Sequence, residues 1–255
     1  MNRVIMLDID GTLYPQEIEK EIIKELQKRR VEFLVKKLGI NKKIARLVIR
    51  RLEEEDKPFD DWVEELGIPR KEYYNEVWGK INPKKYLEGY EVNVRGVIQQ
   101  LEKGGYSIVI VTNAPLVWAE KILKVLKLKG RIERIYTCDD GIQKPSIEAF
   151  KKVLDDYNID ADKLSKRTTR HFVEVSPYAI MVGNDVEKDI FSAQNLGITG
   201  IYIDWEAKSP IVINAIAIFG YFYPRESSNW KVPYVTINSI EQLPDAIEYV
   251  NKLKW

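Results

Sequence analysis

The chain of 255 residues has one cysteine, Cys138, and one histidine, His171, and each scarcity closes a branch of chemistry. One cysteine excludes an internal disulfide framework and argues against a cysteine metal site. One histidine removes most histidine-based catalytic and zinc arrangements. The formal charge is only +1, so the chain lacks the basic excess that a general grip on nucleic acid requires. Long apolar runs are missing too. The longest, Ile211 to Phe222, is broken by Asn214 and Gly220 and falls short of the roughly 20 residues a membrane helix needs. The first apolar stretch is too short for a signal peptide and runs straight into an aspartate pair. These absences predict a soluble, cytoplasmic protein with no nucleic-acid or membrane partner. The three methionines set against many Lys, Arg and Glu fit the composition of heat-adapted proteins.

What is present is ordinary in bulk and specific in detail. A hydrophobic share of 45% with 31% charge is that of a charge-rich globular protein, long enough for one large domain or two modest ones. The most informative segment is Asp8-Ile9-Asp10-Gly11-Thr12. It follows Val4-Ile5-Met6-Leu7, an apolar run that predicts a fully buried strand. Two carboxylates then lie just past a strand's carboxyl end, where open α/β sheets bind ligands. Alternate residues of an extended chain point the same way, so Asp8 and Asp10 can share a pocket, and Gly11 frees the backbone to turn. Such a pair can hold a hard cation such as Mg²⁺, with one carboxylate attacking phosphorus and the other handling a proton. Alone, the segment reads equally well as a polar strand-to-loop turn.

Beyond Pro15 the pattern becomes helical. Ile18, Ile22, Leu26, Phe33 and Leu34 recur at helical spacing; Gly39 closes that helix, Asn41 caps the next, and Ile44, Leu47, Val48 and Leu52 continue it. Two shorter helical pieces lie around Trp62 to Leu66 and Tyr73 to Trp78, and no strand is expected between Glu17 and Tyr86. An α/β rhythm resumes from Asn93. It predicts strands at Ser107 to Val111, Ile132 to Thr137, Tyr178 to Val182 and Ile198 to Ile203. Helices are predicted at Pro115 to Leu126, Ser146 to Tyr157 and Val186 to Leu196, and a final strand–helix pair at Tyr234 to Leu253. This alternation implies right-handed crossovers and a mostly parallel sheet.

Three further segments sit at predicted strand ends. Thr112-Asn113-Ala114-Pro115 offers a hydroxyl and an amide before a helix start, which suits a phosphate or, more plainly, an N-cap. Lys144-Pro145 places a lysine ahead of a helix, where it can offset the charge of five-coordinate phosphorus or simply occupy a solvated turn. Gly183-Asn184-Asp185 ends another strand, and Asp189 follows four residues on. If the helix has begun by Asp185, the two carboxylates share a face and can complete a cation site or orient the lysine.

In this order the four segments resemble the motifs of the haloacid dehalogenase-like hydrolase superfamily, over nearly the whole chain except parts of the helical segment and the region after Trp205. The resemblance implies a Rossmann-like parallel core at residues 1–15 and 88–255, with an inserted helical cap domain at 16–87. It implies Asp8 as nucleophile and Asp10 as acid then base, with Thr112 and Asn113 on the phosphoryl oxygens and Lys144 neutralising charge. Mg²⁺ would be held by Asp8, Asp10 (through its carbonyl), Asp185 and Asp189. Many relatives carry Asp where this chain has Asn184, so the metal role is shifted to Asp185. The second aspartate, Asp10, points to phosphate rather than halide. The implied function is a Mg²⁺-dependent phosphatase of a small phosphorylated metabolite, acting through an aspartyl-phosphate as a monomer or homodimer. Alternatives are a sugar phosphomutase, a nucleotidase of the same fold, and a non-catalytic phosphate-binding regulator. Two stretches lack a family counterpart. Residues 158–177, with Arg167, Arg170 and His171, read as a solvated loop, with a substrate contact as the alternative. The stretch with Phe219, Tyr221, Phe222, Tyr223 and Trp230 reads as a buried lobe edge or a dimer contact.

Overall fold

Val4-Ile5-Met6-Leu7 offers no polar face to water, and all four residues are fully buried in the interior of a seven-stranded sheet. The computed structural model describes residues 2–54, 61–141, 143–161, 164, 166–169, 172–174, 176–208, 211–214 and 234–252. Strand β1 (Val4–Leu7) leads into helices α1 (Gln16–Leu38), α2 (Lys42–Glu54), α3 (Asp61–Glu65), α4 (Arg70–Glu76) and α5 (Lys84–Leu87). There follow α6 (Glu91–Lys103), β2 (Ser107–Val111), α7 (Leu116–Val125), β3 (Arg134–Tyr136) and α8 (Glu148–Asp156). The chain continues through β4 (Lys166–Thr169), β5 (Phe172–Glu174), β6 (Ser176–Gly183), a π-helical turn at Val186–Phe191 and α9 (Ser192–Gln194). It closes with β7 (Ile198–Ile203), β8 (Ile211–Asn214), β9 (Tyr234–Ile237) and α10 (Leu243–Lys252).

Spatial order in the large sheet is β3-β2-β1-β6-β7-β9-β8. Six strands are parallel, and only β8 runs antiparallel, beside β9 at the edge. Successive strands step from β1 outward to β2 and β3, then cross back to β6 and proceed the other way. The reversal opens a crevice at the carboxyl ends of β1, β2 and β6, the position where such sheets bind ligands. Val4, Met6, Val109, Val111, Ala179 and Met181 face one way and pack with Ala149, Phe150, Val153 and Leu154 of α8. Helix α6 packs on β2, and α10 on β6 and β9. The sheet is thereby covered by helices, which is why β1 and most of β2 read as apolar runs.

The chain divides into two compact units, Met1–Gln16 with Gly89–Trp255, and Glu17–Glu88. The second unit is helical, with no strand among its described residues. It has its own core, in which Ile22, Leu26, Phe33, Leu34, Ala45, Ile49, Val63, Tyr73 and Val77 are buried. Phe33 meets Tyr73 edge-on at 5.4 Å, and Asn41 Oδ1 caps α2 by accepting the Ile44 N–H at 3.0 Å.

Two sequence expectations change, and one run without an expected secondary structure is a strand. Within 158–177, expected as a loop, β4 and β5 pair as an antiparallel hairpin; Arg170 and His171 lie outside the described residues. The helix expected from Val186 is a π-helical turn followed by a short α-turn, and its first residue comes after Asp185. The start of the apolar run at Ile211 is the edge strand β8; the aromatic stretch from Phe219 to Trp230 lies outside the described residues. Among the described residues no helix is long and apolar enough to cross a membrane.

Candidate active site

Asp8 leaves β1 with its N–H donated to the Val182 carbonyl of β6 at 3.0 Å, so the sheet itself anchors the residue. Gly11 then takes the left-handed conformation, φ 69°, and Thr12 and Leu13 both donate back to the Ile9 carbonyl. The turn directs the Asp8 carboxylate at Lys144, whose Nζ lies 2.9 Å from Oδ1. On its other side the same ammonium meets Asp189 Oδ1. All three residues are buried. Burial alone would discharge Lys144, but Asp189 and Asp8 overturn that and raise its pKa above the usual lysine value. Burial also pushes the Asp189 carboxyl upward, opposed by Lys144 and reinforced by the Asp8 charge.

The lysine is held from its backbone as well. Asn113 Oδ1 accepts the Lys144 N–H and Asn113 Nδ2 donates to the Lys144 carbonyl, each at 2.7 Å. This amide, expected on a phosphoryl oxygen, fastens the loop after β2 to the loop before α8, and the pair of bonds uses one of its two Nδ2 hydrogens. Thr112, buried at the end of β2, donates its N–H to the Tyr136 carbonyl at 3.0 Å, and its Oγ1 accepts the Ala114 N–H at 3.2 Å. A threonine hydroxyl that accepts still has its own proton to donate. The first amide of α7, Leu116 N–H, is already bound to Asp139 Oδ2 at 2.7 Å.

The two carboxylates of the fourth segment face different tasks. Asp185 has extended backbone and caps the π-helical turn, with Oδ1 accepting from the Glu187 and Lys188 N–H groups at 3.0 and 2.9 Å. Burial raises its carboxyl, but the Lys188 amide and ammonium outweigh that and hold it below the usual range. Asp189 accepts the Asp185 N–H with Oδ2 at 3.0 Å and reaches Lys144 with Oδ1. A Cβ on Gly183 would overlap the Asp189 carboxylate, so only glycine fits at that strand end. The structure thus joins Asp8, Lys144 and Asp189 in one buried network and sets the Asp185 carboxylate on its own helix end.

Asp10, on the same turn, receives the Tyr14 hydroxyl and, at 2.9 Å, the Trp118 indole N–H, both on Oδ1. Burial pushes its carboxyl up to about 6 and the Asp8 charge adds to this, while the two donors pull the other way. A carboxyl poised there can be acid or base near neutral pH. A buried carboxylate on a buried lysine, with a second carboxyl on the same turn, therefore lies at the sheet's switch point. A haloacid dehalogenase-like hydrolase family model matches residues 2–197, about three quarters of the chain.

The chain belongs to the haloacid dehalogenase-like hydrolases.

A glyceraldehyde 3-phosphate phosphatase of Pyrococcus abyssi is 28% identical to this hydrolase over 220 residues, covering 80% of this chain and 82% of the relative. A protein of the same name from Pyrococcus furiosus is 30% identical over 113 residues, covering 44% and 40% of the two chains. Among solved structures, a HAD phosphatase from Thermococcus onnurineus superposes with a TM-score of 0.57 at 20% identity, covering 95% of this chain and 96% of that one. A 2-haloacid dehalogenase from Pseudomonas syringae gives 0.53 at 17% identity, covering 98% and 99%. At such identities the two structures establish the shared fold.

Two tryptophans of this hydrolase stand in the site without having drawn notice in the sequence. Trp118 binds Asp10, and Trp205 donates its indole N–H to the Gly11 carbonyl at 2.7 Å. With Thr12 Oγ1 placed 3.4 Å from Asn184 Oδ1, three consecutive residues of the turn are held from elsewhere in the sheet unit. A buried tryptophan in an amphipathic helix reads as core, and only its N–H direction reveals otherwise.

The donor chemistry suits a hard divalent cation. Asp8 and Asp189 bring two buried carboxylates against one ammonium, and the Asp10 carboxyl lies on the same turn as Asp8, so the acids there offer the oxygen ligands that a hard cation takes. Among the described residues no cluster of three His, Cys, Asp or Glu side chains forms a metal cage by itself.

Proposed function

We propose that this hydrolase is a Mg²⁺-dependent phosphatase of a small phosphorylated metabolite, acting in the cytoplasm through an aspartyl-phosphate on Asp8. The observation that carries the reading is the buried Lys144, held charged between Asp8 and Asp189. A lysine so placed lowers the repulsion between an attacking carboxylate and an anionic phosphoryl group. Asp8 attacks phosphorus, and the phosphorus–oxygen bond to the leaving group breaks as Asp10 delivers a proton to that oxygen. Asp10 then takes a proton from water as it attacks the same phosphorus, releasing phosphate and restoring Asp8. Thr112 donates its hydroxyl to a phosphoryl oxygen, Asn113 keeps Lys144 in place, and Asp189 orients the ammonium. Mg²⁺ would be held by the Asp8 carboxylate and the Asp10 carbonyl, with Asp185 or Asp189 nearest as the further acid; when bound it supplies positive charge for the phosphoryl oxygens. The helical unit is read as the cap that governs access and water exclusion.

The Pyrococcus relatives' name makes a triose phosphate the first substrate to try, with nucleoside monophosphates and sugar phosphates beside it. A panel of these and p-nitrophenyl phosphate, assayed with Mg²⁺ and with chelator, tests the reading. Wild type is expected to release phosphate only with the metal, and Asp8→Asn to lose at least about a thousandfold while keeping its fold. Activity in Asp8→Asn close to wild type, or indifference to chelator, rejects the mechanism.

A further inference from the structure

Asp10 has one oxygen occupied twice. The Trp118 indole N–H and the Tyr14 hydroxyl both converge on Oδ1, from α7 and from the turn after β1 respectively. Each carboxyl oxygen offers about two lone-pair sites, so two donated hydrogen bonds fill Oδ1. Oδ2 is then the oxygen through which a proton must pass. We propose that Trp118, with Tyr14, is a positioning residue for proton transfer, fixing the Asp10 carboxyl so that Oδ2 faces the leaving oxygen.

The inference rests on the reading of Asp10 as general acid, and it assigns this chain's own tryptophan a part in the chemistry. Trp118 is fully buried and lies in the first turn of α7, its backbone N–H bonded to the Pro115 carbonyl at 2.9 Å. Rotation of the indole is therefore restricted by packing, which makes it a rigid reference for the Asp10 side chain. Tyr14, also fully buried, closes the same oxygen from four residues along the turn. A rigid donor pair matters because proton transfer demands heavy-atom geometry within hydrogen-bond reach. In the first step the Asp8–phosphorus bond forms, the bond from phosphorus to the leaving oxygen breaks, and the Oδ2 proton moves to that oxygen. The alcohol departs neutral and Asp10 remains as carboxylate. Were Trp118 only a satisfied core donor, its removal would cost stability and slow all substrates alike.

A leaving-group series separates these roles. Mg²⁺-loaded Trp118→Phe and Tyr14→Phe are compared with wild type by kcat/KM on substituted phenyl phosphates, from p-nitrophenyl to phenyl to p-methoxyphenyl. This ratio reports the first irreversible step, in which Asp10 acts as acid. The nitrophenolate leaves with little need of a proton, so its kcat/KM is expected to change by less than about threefold, whereas the more basic phenolates fall by roughly thirtyfold or more. The dependence on leaving-group basicity therefore steepens in both variants. Equal losses across the series, or none, in a variant with wild-type circular dichroism overturn the inference while leaving the phosphatase reading intact. If Trp118→Phe does not fold, the slope for Tyr14→Phe decides alone. A wild type inert toward the entire series rejects the phosphatase reading itself, and this inference with it.

Discussion

Lys144 in the sheet unit and Lys37 in the helical unit are both paired with carboxylates, and the pairs have opposite meanings. Lys37 Nζ lies 2.6 and 2.9 Å from the two Glu72 oxygens, as close as Lys144 lies to Asp8 at 2.9 Å. Water distinguishes them. The side chains of Lys37 and Glu72 are 38% and 40% exposed, against 4% for Lys144, 12% for Asp8 and 1% for Asp189. An exposed pair exchanges one well-solvated state for another and is worth little. A buried charge has given up its hydration, so each partner depends on the others. Arg70–Glu64 and Arg29–Glu25, also in the helical unit, resemble the Lys37 pair. The sheet unit concentrates its electrostatic consequences in a few buried groups, and the helical unit spreads its charges over a solvated surface.

The largest break in this contrast should come from Lys144→Ala. It leaves Asp8 and Asp189 buried without their cation, and urea unfolding in chelator should show a loss of about 3–5 kcal/mol. Phosphatase activity should fall more than about a hundredfold.

Next comes the pH dependence of Asp10. Its folded carboxyl titrates near 6 against an ordinary 3.8, so the folded state holds the proton more tightly than the unfolded chain does. The resulting stabilisation is full below 3.8 and is lost as pH rises through about 6. Thermal melts of chelated protein should therefore show Asp10→Asn gaining on wild type between pH 4 and pH 7, by up to about 3 kcal/mol. A constant offset between the two would contradict the raised carboxyl.

Gly183→Ala should cost about 1–3 kcal/mol, because the new Cβ must displace the Asp189 carboxylate. The same displacement loosens Lys144, so aryl phosphate hydrolysis should drop about tenfold or more. The smallest effect belongs to Lys37→Ala: less than about 1 kcal/mol, diminished further by salt, with hydrolysis within about twofold of wild type. A loss above about 2 kcal/mol would mean that the exposed pair behaves as a buried one.

Legibility in the sequence follows the same division between local and distant causes. β1, the last four residues of β2 and residues 179–182 of β6 announced themselves because a chain segment buried on both faces has no polar position to interrupt it. The Asn41 cap and the turn at Gly11 were legible because each acts within a few residues of itself. The hairpin of β4 and β5 was missed because charged and polar residues there resemble a loop, and pairing lies between chain segments rather than in either one. Edge strand β8 was hidden in a longer apolar run. The relation of Asp185 to Asp189 turned on where the helix begins and how tightly it winds. The π-helical turn, starting one residue after Asp185, sends one carboxylate to its own amides and the other to Lys144.

By itself the sequence determined the α/β alternation, the helical segment between two parts of the sheet unit, and the oxygen- and ammonium-bearing residues at strand ends. These depend on periodicity and on residue chemistry, both of which are carried by neighbours along the chain. Only the tertiary structure decided which groups meet. The Asn113 amide closes on Lys144 across 31 residues, Trp118 on Asp10 across 108, and Trp205 on Gly11 across 194. No local pattern encodes such partners, because a hydrogen bond is set by direction and distance in space, and those exist only once the sheet has brought its strand ends together.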